Sequence, residues 1–114
     1  MPTLYKICPV SLWYTAERNG VFRGSAVDLR DGFIHFSTAA QAAETAAKHF
    51  AGQGDLVLLH VDAARLGAAL KWEPSRGGAL FPHLYGDLDP KVVTRVDTLP
   101  LGADGRHEFP PLDD

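Results

Sequence analysis

Apolar and polar positions along the chain change period several times, and each change marks an element. "LYKIC" alternates and predicts a short first strand, closed by Pro9. "SLWYTAERNG" moves to helical spacing: Leu12, Trp13 and Ala16 form an apolar stripe, Ser11 stands where an N-cap belongs, and Asn19-Gly20 supplies a left-handed stop. Residues 21–31 lose the period, with a turn at Gly24-Ser25 and a single helical turn around "AVDLR". "GFIHF" alternates again as a second strand and runs directly into the Ala-rich helix "AAQAAETAAKHF". The face of that helix, Ala39, Ala43, Ala46 and Phe50, has the 3.6 period, and its small residues let it lie close against a sheet.

Beyond "AGQGD", the run "LVLLHVD" is apolar without alternation, which predicts a central strand buried on both faces. "LKWEP" reads as a shorter strand, "SRGG" as a turn, and "ALFPHLYG" as an extended stretch that Pro82 confines to an edge or a bend. "KVVTRVDTLPL" is the last strand, and residues 103–114 form a Pro-rich, acidic end expected to hug the surface or fray. Strands outnumber helices and do not alternate with them, so the class is α+β, with a mostly antiparallel sheet and two main helices.

Composition narrows this picture. A chain of 114 residues with 46% apolar and 22% charged residues is one globular domain, and at that length it buries enough surface to fold without staples. The single cysteine, Cys8, can form no internal disulfide and no Cys-based zinc site. No apolar run approaches the about 18 residues of a membrane span, and the first ten residues lack the order of a signal peptide, so a cytoplasmic protein is expected. A net charge of −3 with scattered Lys and Arg argues against a nucleic-acid footprint. A phosphate-bearing small ligand needs only one or two cations and some backbone N–H groups.

The pleat of "FIHFS" puts Ile34 and Phe36 toward the core and leaves Phe33, His35 and Ser37 on the opposite face. In "ALFPHLYG" the same parity groups Phe81, His83 and Tyr85. Two segments that each offer a His beside a hydroxyl can converge on one cleft, with Glu73 alternating away from Trp72 on "LKWEP". Thr38 with Gln41 three residues on also fits the capping box. His60 reads as a hydrogen-bonded His within the core, His49 and His107 as surface residues, and Trp13 and Trp72 as core. No nucleophile elbow surrounds Ser37, no glycine-rich phosphate loop is present, and no local metal pair such as HExxH occurs among His35, His60, His83 and Glu73.

The motifs "DGFIHFSTAAQ", "LKWEP" and "FPHLYGDL", in that order, resemble a small bacterial family, domain of unknown function 952, over nearly the whole chain. The resemblance implies a fold similar to that of ADP-ribosyltransferases, a split antiparallel sheet that holds NAD in a cleft. It implies that the strand-to-helix unit brings His35, Ser37, Thr38 and Gln41 to the ligand, and that Lys6, Arg23 or Arg76 meets a pyrophosphate. Lys6 stands where related toxins carry Arg and polymerase-type enzymes His. The last strand lacks their Glu-x-Glu pair, carrying Asp97, while Glu73 lies one strand earlier.

Three readings follow. In the first, an enzyme takes NAD or an ADP-ribose derivative as substrate: His35 and Ser37 orient the ribose, Tyr85 stacks on the nicotinamide, His83 is general acid or base, and Glu73 stabilises the cationic transition state. In the second, a non-catalytic module binds a nucleotide-like or anionic small molecule in the same cleft. The third is a metal-assisted hydrolase.

Overall fold

The strands sort into two antiparallel three-stranded sheets, and the seam between them is where the chain changes partner. The computed structural model describes residues 2–112, the side chain of Arg76 excepted; the last two residues of the acidic tail lie outside the described residues. The first sheet has the order β1-β3-β6, with β1 at Thr3–Pro9, β3 at Leu56–Asp62 and β6 at Val93–Thr98. The second has the order β2-β5-β4, with β2 at Ile34–His35, β4 at Leu70–Pro74 and β5 at Leu80–Leu84. Helices α1 (Val10–Asn19), α2 (Ala26–Asp31) and α3 (Ala39–His49) complete an α+β architecture.

As its unbroken apolar run predicts, β3 is central and buried on both faces. Val57, Leu59 and Val61 pack with Trp13, Phe22, Ile34 and Phe36 on one side. Leu56 and Leu58 join Tyr5, Ile7, Ala46 and Leu99 on the other, under Phe50 and the tail residues Phe109 and Leu112. Each fully buried Leu, Val or Ile contributes about 1.5–3 kcal/mol relative to exposure, so these two layers fix the register of the first sheet. The tail hugs the surface: Glu108 N–H donates to Pro100 O at 2.8 Å and His107 Nε2 lies 2.7 Å from Gln53 O. Among the described residues no helix is long and apolar enough to cross a membrane.

Several expectations need correction. Pro9 rather than Ser11 caps α1, because β1 runs into the helix without a linker, although Gly20 does supply the left-handed stop. The buried face of α3 is Ala42 and Ala46, not Ala43; an Ala-rich helix offers little contrast to fix its rotation. Trp72 is 42% exposed, since it lies on the outer face of an edge strand. Most instructive is β5, which is not an edge or a bend but the middle strand of its sheet despite Pro82. Phe36 N–H donates to Pro82 O at 3.0 Å, so the N and C=O of Pro82 both face β2 and none of its bonds to β4 is lost. On the β2 side Pro82 has no N–H to return to Phe36, and β2 stops at His35. One residue later the chain bonds to β1 instead: Ser37 N–H donates to Tyr5 O and Tyr5 N–H to Ser37 O, both at 2.8 Å. The predicted strand "GFIHF" is thus two paired residues followed by a bridge between sheets.

Candidate functional site

The site begins with one buried carboxylate. Ser25 opens α2 and Asp28 follows three residues later, a capping box in which Asp28 Oδ2 accepts from Ser25 N–H at 2.8 Å and from Ser25 Oγ at 3.0 Å. The same side chain, 0% exposed, receives Lys6 Nζ of β1 at 2.8 and 3.0 Å. From β2 it receives His35 backbone N–H at 3.1 Å and His35 Nδ1 at 2.7 Å. Burial alone would raise the Asp28 carboxyl, yet the bond from His35 and the charge and bond of Lys6 carry it well below the usual carboxylate range. Asp28 therefore ties both sheets to α2 as an anion. Gly24, at φ 115°, leaves room for it, since a Cβ there would stand 2.6 Å from Asp28 Cβ.

His35 faces a second carboxylate. Its Nε2 lies 3.0 Å from Asp31 Oδ2 at the end of α2, and Asp31 is also 3.1 Å from Arg30 Nε. The Asp31 carboxyl is lowered, first by the bond from Arg30 and further by its charge and by His35.

Across the strand, His35 pairs with His83. The Phe36-to-Pro82 bond next to them makes this a position where the backbones do not bond each other, which is the closer side-chain spacing of an antiparallel ladder. The rings are 5.3 Å apart between centroids. His83 is buried, and its Nδ1 lies 2.8 Å from Glu73 Oε1 of β4, to which Tyr85 also donates at 2.7 Å. The Tyr85 bond, then that of His83, lowers the Glu73 carboxyl; the same bond raises the Tyr85 hydroxyl. Phe33 stacks on His83 at 4.1 Å and touches His35 and Tyr85 at 4.5 and 5.2 Å.

These groups border a cavity of about 510 Å³ at the seam between the sheets, the size of a small-molecule site. His35, Ser37, His83 and Lys6 line it, so the two distant imidazoles do come together. Glu73 and Tyr85 stand behind His83 and outside the lining. Thr38 and Gln41 also lie outside it. They form the capping box of α3, and Gln41 Nε2 further donates to Leu80 O at 2.8 Å. Arg23 is a surface cation 3.9 Å from Asp87, and the side chain of Arg76 is outside the described residues. His60 is the expected buried His, bonded to Asp97 at 2.7 Å.

Sequence reasoning missed Asp28, Arg30 and Asp31, Thr45 (2.9 Å from Ser37 Oγ), and His49, which is exposed but forms part of the wall. One signal for Asp28 was in plain view: Ser25-x-x-Asp28 is a capping-box pattern. Among the described residues, no three His, Cys, Asp or Glu side chains are grouped to hold a metal ion.

A family model, Protein of unknown function (DUF952), matches residues 7–96. The crystal structure of protein CC0527 from Caulobacter crescentus shares 57% identity over 93% of either chain, with a TM-score of 0.89. A double mutant of that protein matches at 55% identity, the same coverage and a TM-score of 0.89. The solution NMR structure of CC0527 is 57% identical, covers 93% of this chain and 91% of its own, and gives a TM-score of 0.84. No curated protein matches significantly.

Proposed function

The chain belongs to the DUF952 family, and from that premise we propose that its cavity binds NAD or another ADP-ribose-containing ligand and that His83 moves a proton there. We take the architecture to be of the ADP-ribosyltransferase type; the two sheets parting at a strand-to-helix unit, with a cavity at the seam, support that reading. A cytoplasmic setting suits a lone thiol such as Cys8, which has no partner to oxidise with. One observation carries the functional reading. His83 stands on the wall of a ligand-sized cavity with Nδ1 held by Glu73, while its Nε2 has no hydrogen-bond partner among the described residues. A carboxylate on one nitrogen fixes the tautomer and turns the lone pair of the other toward the cavity side, the arrangement of a general base. His35 and Ser37 line the same wall and orient the ligand, and Tyr85 acts through Glu73.

The second reading, a binding module without chemistry, draws on another observation: Asp28, Asp31 and Glu73 all have partners already, so none is free to offset a cationic transition state. Calorimetry with NAD and ADP-ribose, beside an assay of nicotinamide release, separates the two. The catalytic reading expects Glu73→Gln to bind within a few-fold of wild type and to turn over about 10²-fold more slowly, because the neutral isostere no longer supports His83. Undiminished turnover would remove Glu73 from its role. Binding with no nicotinamide released from the wild type would favour the module.

A further inference from the structure

His35 and His83 are one cross-strand pair, and each has its Nδ1 against a carboxylate of its own, Asp28 at 2.7 Å and Glu73 at 2.8 Å. In both rings Nε2 is therefore the nitrogen turned away from that carboxylate, and both rings line one cavity. The two Nε2 atoms are differently placed. That of His83, in a side chain 5% exposed, has no partner among the described residues and is an acceptor. That of His35 meets Asp31 at 3.0 Å, so each nitrogen of that ring faces a carboxylate acceptor. One imidazole is set to take a proton and its neighbour to give one.

Cleavage of a glycosidic bond asks for a free anion beside the sugar, and Asp31 on the wall, like Asp28 and Glu73 behind it, is already engaged. Displacement at phosphorus asks instead for a proton removed from the nucleophile as another reaches the leaving oxygen. We propose that this histidine pair hydrolyses a phosphodiester of a nucleoside, with His83 as general base and His35 as general acid. The proposal rests on the reading that the cavity takes a phosphate-bearing nucleotide. His83 Nε2 removes a proton from water as the water oxygen bonds to phosphorus. The bond from phosphorus to the ester oxygen breaks, and that oxygen takes the proton of His35 Nε2, in the place Asp31 now holds. The products are a phosphomonoester and an alcohol, and the two rings exchange their protons back through solvent. Arg30, on the same wall and bonded to Asp31 through Nε, offers the rest of its guanidinium to the phosphoryl oxygens.

The test incubates the protein in EDTA with 2′,3′-cyclic AMP and with bis(4-nitrophenyl) phosphate, while calorimetry follows ADP-ribose binding. We expect an AMP monoester and 4-nitrophenol, with rates falling about 10²–10⁴-fold in His35→Ala and in His83→Ala. Gln replaces Ala at either position should circular dichroism show a lost fold. Wild-type protein that binds ADP-ribose but yields neither product overturns the proposal and leaves the ADP-ribose reading standing. Hydrolysis without ADP-ribose binding supports the histidine pair and removes that reading. Hydrolysis that persists in both histidine variants, or absence of both binding and product, overturns the proposal.

Discussion

Replacing Asp28 by Asn tests whether one carboxylate holds the site together. The side chain is 0% exposed and meets Lys6 Nζ at 2.8 Å, with Lys6 itself only 4% exposed. Removing one partner of a buried ion pair costs about 3–5 kcal/mol, because the remaining charge stays desolvated. An amide must also turn its NH₂ toward some of the donors that now point at Oδ1 and Oδ2, which adds about 1–3 kcal/mol for each buried bond lost. Against a total of roughly 5–15 kcal/mol for a domain, at least 3 kcal/mol should disappear. Urea unfolding at pH 7 reads this as a lower midpoint with the slope unchanged. The acid limb supplies a second reading. The folded Asp28 carboxyl lies below its unfolded value, so its stabilisation is complete above the unfolded value of about 3.9 and is lost as pH falls below it. Wild type and variant should therefore converge in stability toward low pH. A loss under about 1 kcal/mol at pH 7, or a constant gap between the two proteins down the acid limb, would refute the argument.

Other expectations follow from the same geometry. Burial pushes the Cys8 thiol up to about 12, so a thiol reagent at pH 8 should label Cys8 only after denaturant unfolds the chain. Because that value is raised, the stability tied to Cys8 is present below its unfolded value and fades as pH climbs from about 8.5 toward 12. Gly24→Ala should cost on the order of 1–3 kcal/mol in urea titrations, since it combines φ 115° with a 2.6 Å clash on Asp28; a neutral result would mean that α2 shifts freely. Ala42→Glu should unfold or badly destabilise the protein, whereas Ala43→Glu on the exposed face should stay within about 0.5 kcal/mol.

Patterns that depend on burial were legible in the sequence, and those that depend on the direction of a single group were not. The alternation in "FIHFS" sends Ile34 and Phe36 inward, and both are buried; His35 and Ser37 line the cavity, as Phe36 also does and Phe33 of the opposite face does not. The unbroken run of β3 correctly predicted its central place. Pro82 was misread because sequence does not tell which neighbour its nitrogen faces. Asp28 and Asp31 were missed because a six-residue helix carries too little periodicity to reveal its inner face, and a buried anion looks like any surface Asp until its donors are known. The Ala-rich α3 left its rotation unresolved by one residue for want of contrast between neighbours.

Pro82 has a consequence for how this hollow could change shape over evolution. A residue there with an amide hydrogen could answer Phe36 and zip the two strands one rung further, pulling the chain off its crossing to β1 and narrowing the valley where ligands would rest. The point at which these two strands part is thus set from the backbone, by a ring that contributes no donor of its own.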